Sequence, residues 1–331
     1  MLRFLTTRLI SMVLTIWAVS FVAFAIIQLP PGDYLTAYMA RIAAEGERVT
    51  AAEMEAMRQQ YGLGDPFLIQ YWKWISGIFG SGDFGQSFEW KRPVTSLIWG
   101  RLGNSILLEG LAVLVMWLVA LPIGVYAAVR KYSLGDYLAT VFGFLGLAVP
   151  NFLFALVLMY LSYVWFGTTL GGLFSQEFER AHWSLPRIWD FFSHAWAPII
   201  VLATAGTAQL IRIMRANLLD ELKKPYVTTA RAKGLPEWKV IVKYPVRVAL
   251  NPLVSTIGWL LPTLVSSSVI VSVVMSLPTA GPLLLRSLTS QDMYLAGAII
   301  MLLGVLTVVG TLISDLILAW IDPRIRHGGG R

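Results

Sequence analysis

The stretch "PYVTTARAKGLPEWK", residues 225–239, is a polar and basic segment between two of the most apolar parts of the chain. The sequence has 331 residues, of which 56% are hydrophobic and only 14% are charged, and its mean hydropathy is +0.67. Soluble globular domains usually carry about 25% charged residues. This composition is typical of an integral membrane protein, so the polar stretch is the segment whose presence needs an explanation.

Six apolar segments are candidates for membrane-spanning helices, which need about 20 residues each. They occupy residues 9–29, 105–129, 138–166, 197–213, 253–275 and 295–321. The first could be mistaken for a signal peptide, but its apolar run is longer than the 7–15 residues typical of one, and we interpret it as an uncleaved span. The sequence therefore predicts an all-α membrane protein with six transmembrane helices.

Lys and Arg predict the orientation of these spans. They concentrate at the N-terminus, at Arg130 and Lys131, between residues 212 and 247, and in the C-terminal tail. The positive-inside rule places all four segments in the cytoplasm, and with them both chain termini. Basic loops on that side can contact anionic lipid headgroups. The net charge of +7 thus has a membrane explanation, and we expect no nucleic-acid partner.

The spans predict a division of the chain into three parts. Residues 1–29 form the cytoplasmic N-terminus and the first span, residues 30–104 form a large external loop, and residues 105–331 form a five-span core. The core contains a cytoplasmic loop, residues 214–252, between the fourth and fifth spans. In the external loop, Thr50 and Glu53 have capping-box spacing and predict a helix over residues 50–61.

Residues 80–85 of the external loop, "GSGDFG", match two catalytic patterns. The first four match the G-x-G-D of intramembrane aspartyl proteases, and the last three match the D-F-G of kinases. A protease would need Asp83 within a span and beside a second aspartate. A kinase would need a glycine-rich loop and an H-R-D segment, which the sequence lacks. We therefore interpret the segment as a glycine-rich turn.

Other chemistry-bearing patterns are missing from the sequence. There is no cysteine, and the three histidines, His182, His194 and His327, are too scattered to suggest a metal site. No G-x-x-x-x-G-K-[ST] segment could cradle ATP, and no H-E-x-x-H or G-x-S-x-G is present. We expect neither a cofactor nor an enzyme. Two carboxylates within spans, Glu109 and Asp315, are candidates for a transport path or for interfacial positions.

The polar stretch itself predicts a short helix over residues 225–233. Pro225 suits the first turn, and Gly234 suits the left-handed position after the last turn. Val227, Ala230 and Gly234 recur at i, i+3 and i+7 and so predict one small, smooth face. Pro236 then begins a second short helix, which we expect to end at residues 251–252. Such a helix could dock into a groove on a partner or could be a solvated loop near lipid headgroups, and the residues alone leave both open.

A resemblance favours the first alternative. "YVTTARAKGL", residues 226–235, resembles the cytoplasmic loop signature of ABC importer permeases, whose coupling helix docks on the ATPase subunit. Other segments resemble the oligopeptide/dipeptide-type family in particular. They are "TRLISMVLTIWAVSFVAFAIIQLPPGD" (7–33), "YGLGDPFLIQYWKWISGIFGSGDFGQSF" (61–88), "LPIGVYAAVRKYSLGDY" (121–137), "AVPNFLFAL" (148–156) and "ISDLILAWIDPRIR" (313–326). These matches occur in order and cover nearly the whole chain.

The resemblance implies a bacterial inner-membrane permease that works by alternating access. It also implies four partners: a second homologous permease, two ATPase subunits that bind ATP and Mg²⁺, and an external solute-binding protein. The implied ATPase-coupling residues are Tyr226, Thr229, Ala230, Arg231, Ala232, Lys233, Gly234 and Leu235. An oligopeptide is the expected substrate, with an oligosaccharide or another small solute as the alternative. Two other classes are an intramembrane protease using Asp83 and a stand-alone channel.

One segment departs from the family pattern. The family usually carries a glutamate, a phenylalanine and a Pro-Gly-x-Gly in the turn between spans five and six. Here "VSVVMSLPTAGPLL", residues 271–284, has neither the glutamate nor the first of those glycines, which puts the substrate in doubt more than the fold. Residues that could form the path or its gate are Ser272, Met275, Pro278, Gly281 and Asp315.

Overall fold

The computed structural model describes residues 2–28, 65–179 and 181–321, and these residues form twelve α-helices with no β-strand among them. The helices are α1 (Leu2–Gln28), α2 (Phe67–Ser81), α3 (Val94–Val129), α4 (Leu134–Ala148), α5 (Asn151–Phe166), α6 (Leu185–Glu221), α7 (Pro225–Ala232), α8 (Glu237–Lys243), α9 (Pro245–Ser255), α10 (Ile257–Val274), α11 (Ala280–Thr289) and α12 (Met293–Ile321). The all-helical architecture agrees with the predicted fold class. The predicted helix over residues 50–61 lies outside the described residues.

Four of these helices, α1, α3, α6 and α12, are long and apolar enough to cross a membrane. The pair α4 and α5 passes the same test together but is bent by 104°, and it makes a fifth span if the pair is counted as one. The predicted fifth span corresponds to α10, whose apolar part, Thr263–Val274, is short. By length and composition the described helices thus give four or five spans, and the count of six stays a prediction.

The prediction of one continuous helix over residues 138–166 is wrong. Helix α4 ends at Ala148, Val149 is extended (φ −90°, ψ 119°), and α5 begins at Asn151. Pro150 accounts for the break, because a proline ring clashes with a helical conformation of the preceding residue. Pro122 and Pro198, by contrast, remain inside α3 and α6, as membrane helices permit.

Three other predicted boundaries also differ from the structure. Helix α3 begins at Val94, so the last part of the predicted external loop is helical. Helix α6 extends well beyond residues 197–213 at both ends, and Ser184 caps its N-terminus by accepting from the backbone N–H of Arg187 at 3.4 Å. The second short helix ends at Lys243 rather than at residues 251–252, and Pro252 lies inside α9.

The chain divides into two compact units. Unit 1 comprises residues 1–8, 106–278 and 309–331, and unit 2 comprises residues 9–105 and 279–308. Glycine allows close helix packing in unit 1: a Cβ atom on Gly124 of α3 would lie 2.8 Å from the Cβ of Met214 on α6, and one on Gly146 of α4 would lie 3.2 Å from the Cβ of Ala208. Helix α6 is the most deeply buried of the long helices, so it forms the centre of unit 1.

Unit 2 has its own aromatic core. Phe24 of α1 stacks on Trp74 of α2 with ring centroids 5.4 Å apart, and the hydroxyls of Ser20 and Tyr71 lie 2.9 Å apart. The predicted external loop is therefore partly folded against the first span. Fixed aromatic pairs of this kind contribute about 0.5–1.5 kcal/mol each beyond the area they bury.

Candidate functional site

Helices α7 and α8 form a compact segment, residues 225–243, which we call the polar hairpin. Pro225 occupies the first turn of α7, and Gly234 has a φ of +74°, which is the left-handed conformation that the sequence predicts. The backbone N–H of Gly234 donates to the carbonyl of Arg231 at 2.9 Å. Glycine suits this position because other side chains are strained at positive φ. The turn lets α8 fold back on α7.

The interior of the polar hairpin is small and apolar. Val227 and Ala230 on α7 are buried, and they pack with Val240 of α8 and with the partly buried Leu235 and Tyr244. Helix α8 covers Val227 and Ala230 of the predicted small face, whereas Gly234 is exposed. Docking of the hairpin on a partner stays a prediction, and the exposed sides of the hairpin are the surfaces available for it. The exposed residues of the hairpin include Tyr226, Thr228, Thr229, Arg231, Ala232, Lys233, Gly234 and Trp238.

An ion pair links the two helices of the hairpin. The guanidinium Nη2 of Arg231 donates to Oε1 of Glu237 at 2.6 Å, and Nε lies 3.1 Å from both carboxylate oxygens. These hydrogen bonds lower the pKa of Glu237 and raise the pKa of Arg231. Because both side chains are about half exposed, the pair contributes about 1 kcal/mol or less. The ion pair therefore matters more for the orientation of α8 relative to α7 than for the stability of the hairpin.

A second contact fastens the hairpin to α6. The hydroxyl of Tyr226 donates to Oε2 of Glu221, the last residue of α6, at 2.6 Å. Partial burial, together with this carboxylate, raises the pKa of Tyr226, which therefore stays neutral at physiological pH. This hydrogen bond connects the hairpin to the end of α6, the longest described helix of the chain.

The predicted coupling residues fall into two groups. Tyr226, Thr229, Arg231, Ala232, Lys233 and Gly234 are exposed, whereas Ala230 is buried and Leu235 is partly buried. Sequence reasoning did not select Glu221, Glu237 or Trp238. Glu237 belongs to the next helix, so i, i+4 spacing gave no signal for its contact with Arg231. The exposed Trp238, directly after Pro236 and Glu237, was the stronger signal, because an aromatic on a polar segment often marks a binding surface.

The predicted path residues occupy different environments. Ser272 and Met275 are buried inside unit 1, where the backbone N–H of Leu277 donates to the carbonyl of Ser272 at 2.8 Å. The carbonyl of Met275 accepts from the backbone N–H of Gly172 at 3.3 Å. Pro278 is partly buried at the end of this unit, and Gly281 is buried in α11 of unit 2. None of the four is exposed.

The remaining carboxylates are also placed by the structure. Asp315 forms an ion pair with Arg8, with Nε and Oδ2 3.2 Å apart. Glu109 is buried and accepts a hydrogen bond from Ser268. Asp83 is exposed in the turn after Gly82, and its Oδ1 accepts from the backbone N–H of Gly85 at 2.8 Å. Asp83 lies outside every described helix, which agrees with the interpretation of a structural turn.

Comparison of the sequence with known protein families identifies the family of this chain. Residues 120–327 match the family "Binding-protein-dependent transport system inner membrane component". Residues 1–109 match its N-terminal counterpart, "Binding-prot-dependent transport system membrane comp, N-term". The chain belongs to this family. It is therefore a multi-pass inner-membrane component of a transport system, a translocation subunit rather than an enzyme, and the resemblance stated from the sequence motifs is confirmed.

Individual relatives cover the chain from end to end. The chain is 35% identical over 331 residues to the "Oligopeptide transport system permease protein AppB" of Bacillus subtilis (strain 168), covering 99% of this chain and 100% of the relative. It is 32% identical to a "Putative peptide permease protein" of Brucella ovis, covering 98% and 99%. It is 30% identical to the "Glutathione transport system permease protein GsiC" of Escherichia coli (strain K12), covering 99% and 100%.

Proposed function

We propose that this permease imports oligopeptides by alternating access, as one of two homologous permease subunits. An external solute-binding protein delivers the peptide, and two ATPase subunits bind ATP and Mg²⁺ on the cytoplasmic side. The names of the relatives support the substrate class, because all three name a peptide or glutathione. The absence of any phosphate-cradling segment in this sequence supports ATP binding on separate subunits.

The polar hairpin is the observation that carries the ATPase assignment. It has its own core, a left-handed turn at Gly234 and a fixed contact with Glu221 of α6. Because the hairpin is already folded, a displacement by an ATPase subunit would move it as one body together with the end of α6. We assign direct contact with the ATPase to the exposed side chains Tyr226, Thr229, Arg231 and Lys233, together with the backbone at Ala232 and Gly234. Ala230 and Leu235 then act by packing inside the hairpin.

The membrane arrangement proposed here has six spans with both termini in the cytoplasm. The bent pair α4 and α5 serves as the third span, and α10 serves as the fifth. The concentration of Lys and Arg in residues 212–247 supports placing the polar hairpin on the cytoplasmic side. The division into residues 1–29, 30–104 and 105–331 follows from the same arrangement.

We place the gate of the substrate path at the turn that follows α10. Ser272 and Met275 are buried there, so they would line a path only after the surrounding side chains separate. Pro278 lies in the same turn and Gly281 in the helix that follows it, whereas Asp315 lies late in α12, beside Arg8, and would belong to the path rather than to this gate. Oligosaccharides remain a second candidate substrate class, because Ser272 stands where the resembling family usually carries a glutamate and a hydroxyl suits sugars as well as peptides.

Site-specific crosslinking tests the proposed function, since the chain has no native cysteine. We expect Lys233→Cys, on the exposed side of the hairpin, to crosslink to an ATPase subunit in membranes that contain the complete transporter. Val227→Cys, whose side chain is fully buried, is the matched control and should not crosslink. ATP-dependent peptide uptake by the reconstituted complex is the second readout.

The alternatives give different results in the same preparation. Uptake that persists after every ATPase subunit is removed would indicate a stand-alone channel. Peptide cleavage by the purified chain that disappears in Asp83→Asn would indicate a protease. Equal crosslinking at residues 227 and 233, or none at residue 233 in an active complex, would contradict docking through the polar hairpin.

A further inference from the structure

A partly buried ion pair joins α4 to α6 in unit 1. Arg215 of α6 donates to both carboxylate oxygens of Asp136, with Nε 2.6 Å from Oδ1 and Nη2 2.8 Å from Oδ2. The Asp136 side chain is only 2% exposed and that of Arg215 is 28% exposed. The two residues are 79 positions apart in the chain. Bidentate pairs of this kind fix the relative orientation of two groups as well as their distance.

Asp136 is itself held in place by the segment that precedes α4. Its backbone N–H donates to the hydroxyl of Ser133, the residue that caps α4, at 3.3 Å. Its Oδ2 also accepts from the backbone N–H of Tyr132 at 2.9 Å, and Tyr132 has a φ of +65°. The pair therefore connects α6 to both the start of α4 and the turn between α3 and α4.

Arg215 lies on the same helix as Glu221, the residue that holds the polar hairpin. Arg215 and Glu221 are both on α6, separated by about 9 Å along the axis at 1.5 Å per residue. Glu221 accepts from Tyr226 of α7. A continuous series of contacts thus runs from the polar hairpin through the end of α6 to the start of α4, the first half of the bent pair.

Helix packing alone does not explain the presence of this pair. The contact of Gly146 with Ala208 shows that α4 and α6 also meet through small apolar groups. A buried ion pair is costly to desolvate, and replacing both partners by neutral side chains is often neutral or stabilising. A bidentate ion pair also fixes the relative orientation of the two helices, which small apolar contacts do less sharply.

We propose that Asp136 and Arg215 are positioning residues that make the start of α4 move together with the cytoplasmic end of α6. Displacement of the polar hairpin by the ATPase subunits would then reach the bent pair as well as α6. This inference rests on the proposed function, because it requires a hairpin that docks on an ATPase. It adds a coupling element outside the hairpin itself.

The test compares uptake with ATP hydrolysis in the complete transporter reconstituted with its binding protein. The informative variant is the double substitution Asp136→Asn with Arg215→Met, which removes both charges and leaves no unpaired one. The single variant Arg215→Met leaves Asp136 buried without its partner and is expected to accumulate poorly. Arg215→Lys keeps the charge and loses the bidentate geometry. The matched control is Arg212→Met on the same helix, since Arg212 is exposed and donates to Gln209 at 2.8 Å.

The expected result separates a structural role from a coupling role. Abundance in the membrane should recover in the double variant, while the number of peptides taken up per ATP hydrolysed should fall by about 2-fold to 30-fold, the range found for residues that carry coupling. Arg215→Lys should show a smaller fall in the same ratio, and Arg212→Met should match the unmodified protein.

The opposite results overturn the inference. An unchanged ratio of peptides taken up per ATP hydrolysed in the double variant would show that the pair serves only folding. If the double variant accumulates poorly, an unchanged ratio in Arg215→Lys leads to the same conclusion. If the unmodified chain assembles without ATPase subunits, the proposed function fails first and the inference fails with it. Co-purification of the ATPases, measured on every sample, distinguishes these two failures.

Discussion

The hydroxyl of Ser268 on α10 donates to the carboxylate of Glu109 on α3 at 2.5 Å, and both residues are buried in unit 1. The sequence left Glu109 as a candidate for a transport path or for an interfacial position, because the second span was expected to begin at residue 105. Helix α3 in fact begins at Val94, so Glu109 lies well inside it. A carboxylate in a membrane helix that faces the protein interior is a functional candidate, and its role can be tested directly.

We expect Glu109→Gln to keep uptake close to that of the unmodified protein. Glutamine retains a carbonyl oxygen that can accept from Ser268 and removes only the charge. Glu109→Ala should lower the free energy of unfolding by about 1–3 kcal/mol, because it removes a buried hydrogen bond and leaves a cavity. Thermal unfolding in detergent and uptake in vesicles are the measurements. Loss of uptake in Glu109→Gln at an unchanged melting temperature would instead assign the charge to the transport path.

We expect Gly234→Arg to abolish uptake while the protein remains in the membrane at normal abundance. Gly234 has a φ of +74°, and a Cβ atom there would meet no other atom within 4 Å. Strain at positive φ costs about 1–2 kcal/mol, which the fold can tolerate. The long side chain would obstruct the exposed surface of the polar hairpin. Gly234→Asn is the control, because asparagine tolerates this conformation and adds little bulk. Normal uptake in the arginine variant would exclude the hairpin from coupling.

The polar hairpin shows what local patterns can and cannot predict. Pro225 and Gly234 marked the limits of α7 well, because proline and glycine act through their own backbone geometry. The spacing of Val227 and Ala230 showed that they share a face but not what covers it. The cover is Val240, on a helix whose direction depends on the turn between them. Local patterns predict elements, whereas their partners depend on the complete fold.

The ion pair of Asp136 and Arg215 makes the same point at longer range. No periodicity relates two residues 79 positions apart. Each of them also lies at the polar end of an apolar segment, which gives no sign of a partner. The bend between α4 and α5 has a clearer signal in the sequence, because Pro150 restricts the conformation of the residue before it. A proline in a membrane helix predicts either a tolerated kink or a break, and Pro122 and Pro198 show that neighbours decide which occurs.

The tryptophans that follow the first span differ in exposure. Trp74 is buried against Phe24, whereas Trp72 is 70% exposed, and the ring of Trp90 lies 5.0 Å from the guanidinium of Arg286. We expect a crosslinker at Trp72→Cys to capture the solute-binding protein. Trp74→Ala should instead lower the free energy of unfolding by about 3–5 kcal/mol. Failure of crosslinking at residue 72 and at neighbouring exposed positions, with transport intact, would contradict docking on this loop.

We expect Asp292 to make the stability of unit 2 depend on pH. Burial raises the pKa of this carboxyl, although Ser87 donates to it at 2.5 Å and the backbone N–H of Glu89 at 3.2 Å. Because the folded state then holds the proton more tightly than the unfolded state, the contribution of Asp292 is greatest below its ordinary pKa of about 3.9 and declines as pH rises through the raised value.

The melting temperature in detergent measures this effect. We expect the difference between the unmodified protein and Asp292→Asn to change between pH 4 and pH 7, in the direction that favours the asparagine variant at higher pH. Ser87→Ala should extend the decline to higher pH, since it removes a hydrogen bond that favours the charged carboxylate. A difference that is constant with pH would show that Asp292 titrates as it does in the unfolded chain.

The lack of carboxylates in the turn after α10 indicates a substrate with no obligatory cationic group. A path for cationic peptides should offer carboxylates, because a buried unpaired charge is costly. Ser272 is 2% exposed, and the turn from Ser276 to Pro282 carries no charged residue. We expect neutral peptides to compete for uptake by the reconstituted complex at least as well as peptides rich in Lys and Arg.

Ser272→Glu is the variant that makes this prediction specific. A buried carboxylate there should improve competition by basic peptides relative to neutral ones, with Ser276→Glu at the exposed end of the same turn as the control. The measurement is uptake of one labelled peptide against neutral peptides, basic peptides and oligosaccharides. A strong preference of the unmodified transporter for basic peptides, altered by substitutions at residue 272, would contradict the prediction. A preference for oligosaccharides would leave it intact and make sugars the first choice of substrate, because hydroxyl and aromatic side chains recognise neutral solutes of both kinds.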